Sequence, residues 1–202
     1  SSLQAALVEA DTRATVEIWI AKGIYVPSEI YSPSGIIGGA YAQSIPPPAQ
    51  SDLNHLRTFN LPNGVVLHGG FSGTERKRCE RDCDANPTIL SGANYSWHVV
   101  TLGNDITQTG VKARITGCTI TQGLARGPTT PDGVLGVFAY NHGHGGGIYS
   151  VFGSSLSLDS SSIVSNIAEG QLPVEINGGI GGGIFSLNSG IDINCCVFRD
   201  NY

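Results

Sequence analysis

The 202-residue sequence is poor in charged side chains and aromatic side chains, and it contains no methionine. Charged residues make up 13% of the chain, about half of the usual share of roughly 25%. Low charge together with 28 glycines could indicate disorder, but a hydrophobic content of 40% argues against it. The composition instead favours a fold with tight turns and small, closely stacked side chains.

Net positive charge, long apolar runs and metal-binding cysteine pairs are missing as well. The formal net charge is −5, whereas nucleic acid requires a cationic face. No apolar stretch approaches the roughly 18 residues that span a bilayer, and the five cysteines show none of the CxxC pairs typical of zinc sites. We therefore expect no nucleic-acid partner, no membrane span and no cofactor.

Two of the cysteines are candidates for a disulfide. Cys79 and Cys83 lie four residues apart in a polar segment, close enough to pair if that segment makes one helical turn. Such a bond would require an oxidising compartment, and two free thiols are the equally weighted alternative. Because the number of cysteines is odd, at least one is unpaired or bound to another chain.

The N-terminal region changes from a helical to a strand-like periodicity. Ser2 precedes the segment Leu3–Ala10, whose apolar residues recur at helical spacing, and this pattern predicts a short capped helix. From residue 16 to 20 apolar and polar residues alternate, which predicts a strand with one buried face. Residues 1–26 are thus predicted to form an N-terminal cap and a first coil. Segments 27–57 and 72–86 lack periodicity and are predicted to be two long loop excursions.

The region 110–202 repeats itself. Gly-Gly-Gly-Ile-Tyr-Ser at 145–150 returns as Gly-Gly-Gly-Ile-Phe-Ser at 181–186, a shift of 36 residues. A second set of positions returns after 35 residues, and an earlier copy begins at Ala113. In this second set the following residues align: Leu156, Leu158, Ser161, Ile163 and Asn166 with Ile191, Ile193, Cys196, Phe198 and Asn201.

Short strands that recur at a fixed spacing predict an all-β fold, a right-handed parallel β-helix that forms a single domain over residues 1–202. Inward side chains of successive coils would lie about 4.8 Å apart and form ladders of like residues. An antiparallel sandwich, the rival fold, has no reason to repeat side-chain identities in this way. The residues predicted to be buried in the ladders are Ala113, Ile115, Leu156, Leu158, Ile163, Ile191, Ile193 and Phe198.

Two motifs recur within these repeats. The first is Gly146-Gly147-Ile148 with its preceding glycine, which returns as Gly182-Gly183-Ile184, and the second is Phe198-Arg199-Asp200-Asn201, with a variant at residues 163–166. Their pairing resembles the repeats of polymorphic outer membrane proteins and related bacterial β-helix surface proteins. The resemblance implies secretion to the extracellular space or the bacterial cell surface. It implies little about activity, because this family includes adhesins and surface-layer components.

The sequence offers little support for an enzyme. Acidic residues are scattered through the repeats, and Asp159 aligns with Asn194, so no ladder of carboxylates is expected. His142-Gly143-His144 supplies too few ligands for a closed metal site. Trp19 could stack on a sugar ring, but aromatic residues do not recur with the repeat and predict no regular carbohydrate platform. We therefore expect no catalytic or metal-binding residues.

Three functions remain in consideration. The preferred one is a non-enzymatic extracellular structural or surface protein. The second is an adhesin or carbohydrate-binding stalk that uses the two excursions to bind surface glycans or other cell-surface proteins. The third and least favoured is a polysaccharide lyase or hydrolase.

The last coil predicts how a structural protein of this kind would assemble. It is a full repeat unit that no polar capping segment follows, and unpaired strand edges are templates for pairing. We expect it to dock on the N-terminal face or the 27–57 excursion of another copy and form a head-to-tail homopolymer. A longer β-helix whose remaining coils are missing is the equally weighted alternative. The residues predicted to make the intermolecular contact are Cys195, Cys196, Phe198 and Tyr202.

Overall fold

The strands of the protein pair in parallel throughout the part that the structure describes. The computed structural model describes residues 2–11, 13–28, 55–103, 110–126, 143–169 and 179–202. Every strand pair within these ranges is parallel, which confirms the all-β class and the parallel arrangement. The antiparallel sandwich is excluded for these strands.

The chain visits three sheets in a fixed order, and we call one passage through them a coil. The first sheet contains, in spatial order, β1 (Val16–Ala21), β4 (Val65–Phe71), β7 (Lys112–Thr116), β11 (Ser155–Asp159) and β15 (Gly190–Asn194). The second sheet contains β2 (Gly23–Tyr25), β5 (Thr88–Ser91), β8 (Cys118–Thr121), β12 (Ser162–Val164) and β16 (Val197–Arg199). The third sheet contains β3 (Phe59–Asn60), β6 (Val100–Leu102), β10 (Ile148–Ser150) and β14 (Ile184–Ser186). A further, two-stranded sheet consists of β9 (Leu124–Ala125) and β13 (Ile167–Ala168).

The register between coils matches the repeat that the sequence predicts. Ile148 pairs with Ile184 across the third sheet, and Leu156 pairs with Ile191 across the first. Leu156 also pairs with Ala113 on its other side, so the earlier copy belongs to the same ladder. Because side chains alternate between the two faces of a strand, this register places like residues above one another inside the stack.

The glycine triplets form tight corners between the coils. Gly145 and Gly181 have positive φ values of 70° and 72°, a conformation that glycine adopts without the steric cost of a Cβ. A Cβ atom at Gly146 would lie 2.9 Å from the carbonyl oxygen of Gly182 in the next coil. The triplet therefore recurs because the backbones of neighbouring coils approach too closely at this corner for a side chain.

The N-terminal helix covers the first coil. The helix α1 (Leu3–Ala10) begins at Ser2, whose hydroxyl accepts a hydrogen bond of 3.1 Å from the backbone N–H of Ala5. Leu3 and Leu7 are buried, at 5% and 2% exposure, and α1 contacts β1 and β3, the edge strands of the first and third sheets. Both the capped helix and its covering role agree with the prediction from sequence.

The two predicted excursions differ in how much of them the structure describes. Segment 72–86 contains no strand and one 3-10 turn at Arg78–Glu80, as expected for a loop. Residues 29–54 of the other excursion lie outside the described residues, and so do residues 127–142 and 170–178 of the repeat region.

Candidate functional site

The last coil presents three strand edges that have no neighbour among the described residues. β14, β15 and β16 are the end strands of the third, first and second sheets. Each pairs with the preceding coil on one side, through β10, β11 and β12 respectively. Their other sides carry backbone N–H and C=O groups of the kind that normally pair with a further strand. We call this surface the open edge.

Side chains of the interior ladders are exposed at the open edge. Leu158 and Ile163 are fully buried, whereas their ladder partners in the last coil, Ile193 and Phe198, are 51% and 45% exposed. The prediction that Ile193 and Phe198 are buried is therefore wrong, because no described coil covers them. Ile191, the third ladder residue of this coil, is half-buried and packs against the core.

The open edge surrounds a hollow at the end of the stack. Its volume is about 570 Å³, and the side chains of Ile184, Ile191, Ile193 and Phe198 line it, together with Asn201. Ser186, Arg199 and Asp200 also line it, so the hollow combines side chains of the apolar ladders with polar groups. A surface of this kind favours an occupant with apolar side chains and a strand-like backbone.

An asparagine ladder runs to the same edge. Asn166 is fully buried; its Oδ1 accepts from the backbone N–H of Gly123 at 3.0 Å, and its Nδ2 donates to Ile120 O at 3.1 Å. Asn201 repeats the arrangement one coil later, because its Oδ1 accepts from the Asn166 N–H at 3.1 Å and its Nδ2 donates to Ile163 O at 2.8 Å. The ladder bonds each coil to its neighbour, and Asn201 is its outermost described member.

The predicted contact residues all lie on the last coil. Cys195 is exposed with a φ of 51°, and the thiol of Cys196 is half-buried, 3.5 Å from Leu158 O. Tyr202 is 76% exposed, although its backbone N–H donates to Asn166 O at 2.9 Å. Phe198, the fourth predicted contact residue, is 45% exposed.

The predicted disulfide is not formed in the structure. All five cysteines are free thiols; Cys79 is exposed and Cys83 is half-buried. No bond joins Cys79 and Cys83 in this structure, and their pairing under oxidising conditions stays a prediction. Burial raises the pKa of the Cys118 thiol to about 12, which keeps this buried thiol protonated and unreactive at neutral pH.

The outer face of the first sheet carries compensated charges. Arg114 donates to Asp159 at 2.8 Å, and Asn194 donates to the other carboxylate oxygen at 3.1 Å. Burial alone would raise the pKa of Asp159, but the Asn194 hydrogen bond and the Arg114 guanidinium hold it below its usual range. As expected, the alignment of Asp159 with Asn194 prevents a pair of neighbouring carboxylates at this point.

The histidines of the predicted metal-like fragment do not form a metal site in the described part of the chain. His142 lies outside that part, and His144 is buried, with its Nδ1 accepting from the Ile180 N–H at 2.8 Å. Across the described ranges, no group of three or more histidine, cysteine, aspartate or glutamate side chains could hold a metal ion. No described helix has the length and apolar character needed to cross a membrane.

A second group of interacting side chains, which the sequence patterns do not predict, lies beside the capped end. Glu17 accepts hydrogen bonds from Trp19 Nε1 at 3.4 Å and from Arg78 Nη1 at 2.8 Å. The alternation along β1 is a signal that Glu17 and Trp19 share the outer face. No local signal brings Arg78 to them, because it lies 61 residues further along the chain.

Comparison of the chain with protein-family models, with curated proteins and with solved structures finds no match. The arrangement of the residues therefore carries the functional conclusion.

Proposed function

We propose that the protein is a right-handed parallel β-helix of the polymorphic outer membrane protein type, and that it is a non-enzymatic structural or surface protein outside the cell. Its function is to associate end to end through the open edge, and the partner at this edge is a second copy of the chain. The parallel pairing of all described strands and the 35- and 36-residue repeats support the fold.

The contrast in burial along single ladders carries this proposal. Ile163 is fully buried by Phe198 above it, whereas Phe198 itself is 45% exposed. Covering apolar surface is the main favourable term in most protein association, and open strand edges add backbone hydrogen bonds. A coil with the same ladder residues supplies both apolar side chains and a strand edge. A second copy of the chain has such a coil at its own open edge.

The capped end determines which surfaces of two copies can meet. α1 covers the first coil with Leu3 and Leu7, so a head-to-tail contact through this face would have to displace the helix. Two open edges can meet without displacing it. Because the same surface then serves both partners, the assembly closes as a symmetric pair. We therefore favour paired ends over the head-to-tail filament that the sequence predicts.

Sedimentation velocity of the 202-residue chain over a wide range of concentration tests the proposal, with a reducing agent present to keep Cys195 and Cys196 as thiols. We expect a concentration-dependent dimer. Phe198→Asp should abolish it, because a buried unpaired carboxylate is strongly unfavourable. Ile24→Asp is the matched control, because Ile24 is an exposed apolar residue (70%) outside the open edge.

Two results would overturn the proposal: a monomer at every concentration, or equal dissociation by both variants. Circular dichroism of each variant checks that the fold is retained. Filaments in electron micrographs would overturn the paired arrangement in favour of head-to-tail contacts.

A further inference from the structure

An exposed aromatic ring lies on the outer face of the first coil, away from the open edge. Along β1, Glu17 and Trp19 face outward, while the following Ile20 is buried. The indole of Trp19 stacks on the ring of Phe71 with a centroid distance of 4.8 Å and an interplanar angle of 4°. Phe71 is 2% exposed and Trp19 is 39% exposed. Phe71 thus supports one face of the indole, and the ring is held flat at the surface.

A charged pair lies directly beside this ring. The carboxylate of Glu17 accepts from Trp19 Nε1 with one oxygen, at 3.4 Å, and from Arg78 Nη1 with the other, at 2.8 Å. The Trp19 hydrogen bond and the charge of Arg78 hold the pKa of Glu17 below its usual range. The carboxylate is therefore ionised at neutral pH, and the hydrogen bonds from Trp19 and Arg78 fix its orientation.

The loop that supplies Arg78 is internally braced by its own acidic residues. The Glu75 carboxylate accepts from the backbone N–H groups of Ser72, Gly73 and Thr74 at 2.7–3.0 Å. The backbone N–H of Ser72 contributes most to holding the pKa of Glu75 at about 2. Glu80 accepts in the same way from backbone N–H groups of the loop. These carboxylates stabilise the loop, so they do not compete with Glu17 for Arg78.

The loop is also attached to the sheet beneath it. Arg81 Nη2 donates to Thr116 Oγ1 at 3.0 Å. His68, which lies between Trp19 and Thr116 in the strand register, is buried, and neither ring nitrogen has a hydrogen-bond partner among the described residues. Its Nε2 lies 3.7 Å from a Glu17 oxygen. Because both nitrogens are buried away from solvent, His68 belongs to the packing beneath the loop.

We propose that Trp19, Glu17 and Arg78 form a binding site for a pyranose ring of a neutral glycan. The apolar C–H face of a sugar packs against an aromatic ring, while its hydroxyl groups both donate and accept hydrogen bonds. Glu17 supplies acceptors and Arg78 supplies donors. Phe71 and Arg78 hold Trp19 and Glu17 in place before a ligand binds, and this pre-formed geometry lowers the cost of binding.

Glu17 and Arg78 form an ion pair at 2.8 Å, so this pair offers hydrogen bonds without net attraction for a free cation or anion. The site lies at β1, four strands from β15 along the first sheet, or roughly 19 Å from the open edge. It does not rest on the end-to-end association proposed above, and the two proposals can fail separately.

Binding of neutral trisaccharides to the whole chain tests this proposal. The probes are cellotriose, maltotriose, chitotriose, mannotriose and xylotriose, with trigalacturonate as an acidic probe. Saturation-transfer NMR detects bound sugar, and the ¹H–¹⁵N signal of the Trp19 indole reports contact at the site. We expect at least one neutral probe to bind, to shift this signal and to outcompete the acidic probe.

Two variants with a matched control assign the binding to these residues. Trp19→Ala should abolish binding, and Arg78→Gln should weaken it roughly tenfold, the effect of losing one charge-assisted hydrogen bond. Arg13→Gln is the matched control, because Arg13 also forms an exposed ion pair with one glutamate, Glu9, at 2.6 Å. Neither residue belongs to the proposed site, so this variant should leave binding unchanged.

Three outcomes would overturn the glycan site: no neutral probe binds the unaltered chain, trigalacturonate binds more tightly than every neutral probe, or binding survives both Trp19→Ala and Arg78→Gln. Because Arg78→Gln removes no buried group, this variant keeps the test valid if Trp19→Ala does not fold.

Discussion

The first and last coils contain the same kinds of parallel strand but are covered differently. At the first coil, α1 buries Leu3 and Leu7 against the edge strands. At the last coil, Ile193 and Phe198 are about half exposed, although their ladder partners Leu158 and Ile163 are fully buried. The difference teaches that a coil of this fold cannot bury its own interior face, and that burial is supplied by whatever lies next in the stack.

The consequences for the two ends are opposite. A helix that covers a strand edge also prevents further strands from pairing with that edge. An edge without such a cover remains competent for pairing, and the exposed side chains of Ile193 and Phe198 at its hollow add a hydrophobic driving force. The two ends therefore differ in what covers them: α1 covers the first coil, and no described residue covers the strands of the last.

The largest expected effect compares two residues of one ladder. Ile163→Ala should lower the free energy of unfolding by about 2–5 kcal/mol, the range for large-to-small changes in a core. Phe198→Ala should cost less than half of that loss, because the ring is 45% exposed before substitution. Denaturant unfolding at low protein concentration measures both values. Equal losses in the two variants would contradict an uncovered last coil.

A smaller effect compares two histidines that stack on neighbouring rings of one ladder. His98 stacks on Tyr149 in an interior coil, and His144 stacks on Phe185 in the last coil. Burial lowers the pKa of His98 to about 4, although its hydrogen bond with Gly145 O opposes this shift. Burial also lowers the pKa of His144, and a hydrogen bond with the Gly143 backbone opposes this shift.

The sign of the pH dependence follows from the lowered pKa of His98. The folded protein binds a proton at His98 less readily than the unfolded chain, whose pKa is about 6.5. Its stabilising contribution is complete above that pH and is lost as the pH falls to about 4, a loss of roughly 3 kcal/mol. His98→Gln should flatten the pH dependence of unfolding in this window more than His144→Gln does. The opposite order would show that the interior histidine is not the more deeply desolvated one.

The smallest effect concerns single hydroxyl groups at the two ends. Ser2→Ala removes the N-cap of α1 and should cost about 1 kcal/mol, because the Ala5 N–H loses its acceptor. Ser189→Ala near the open edge should change stability by less than about 0.5 kcal/mol, since its hydroxyl donates at 3.2 Å to Leu187 O in an exposed turn. Thermal unfolding of both variants measures the difference. Equal effects would show that the cap does not stabilise the first coil.

The sequence by itself determined the features that depend on neighbouring residues and on the repeat. Ser2 and the apolar spacing after it predicted α1, and the 35- and 36-residue shifts predicted the pairing of Leu156 with Ile191 and of Ile148 with Ile184. These features could be predicted because strand alternation, helix capping and glycine corners are local, and because stacking requires each coil to reproduce the one before it.

Only the tertiary structure decided what is exposed and which distant residues meet. The repeat pattern treats Ile163 and Phe198 alike, and it is the absence of a described coil over Phe198 that separates them. Likewise Glu17 and Arg78 are 61 residues apart, and no periodicity relates the loop to β1. Burial and long-range contact depend on how distant segments pack together, and a pattern read along one segment carries no information about the segment that covers it.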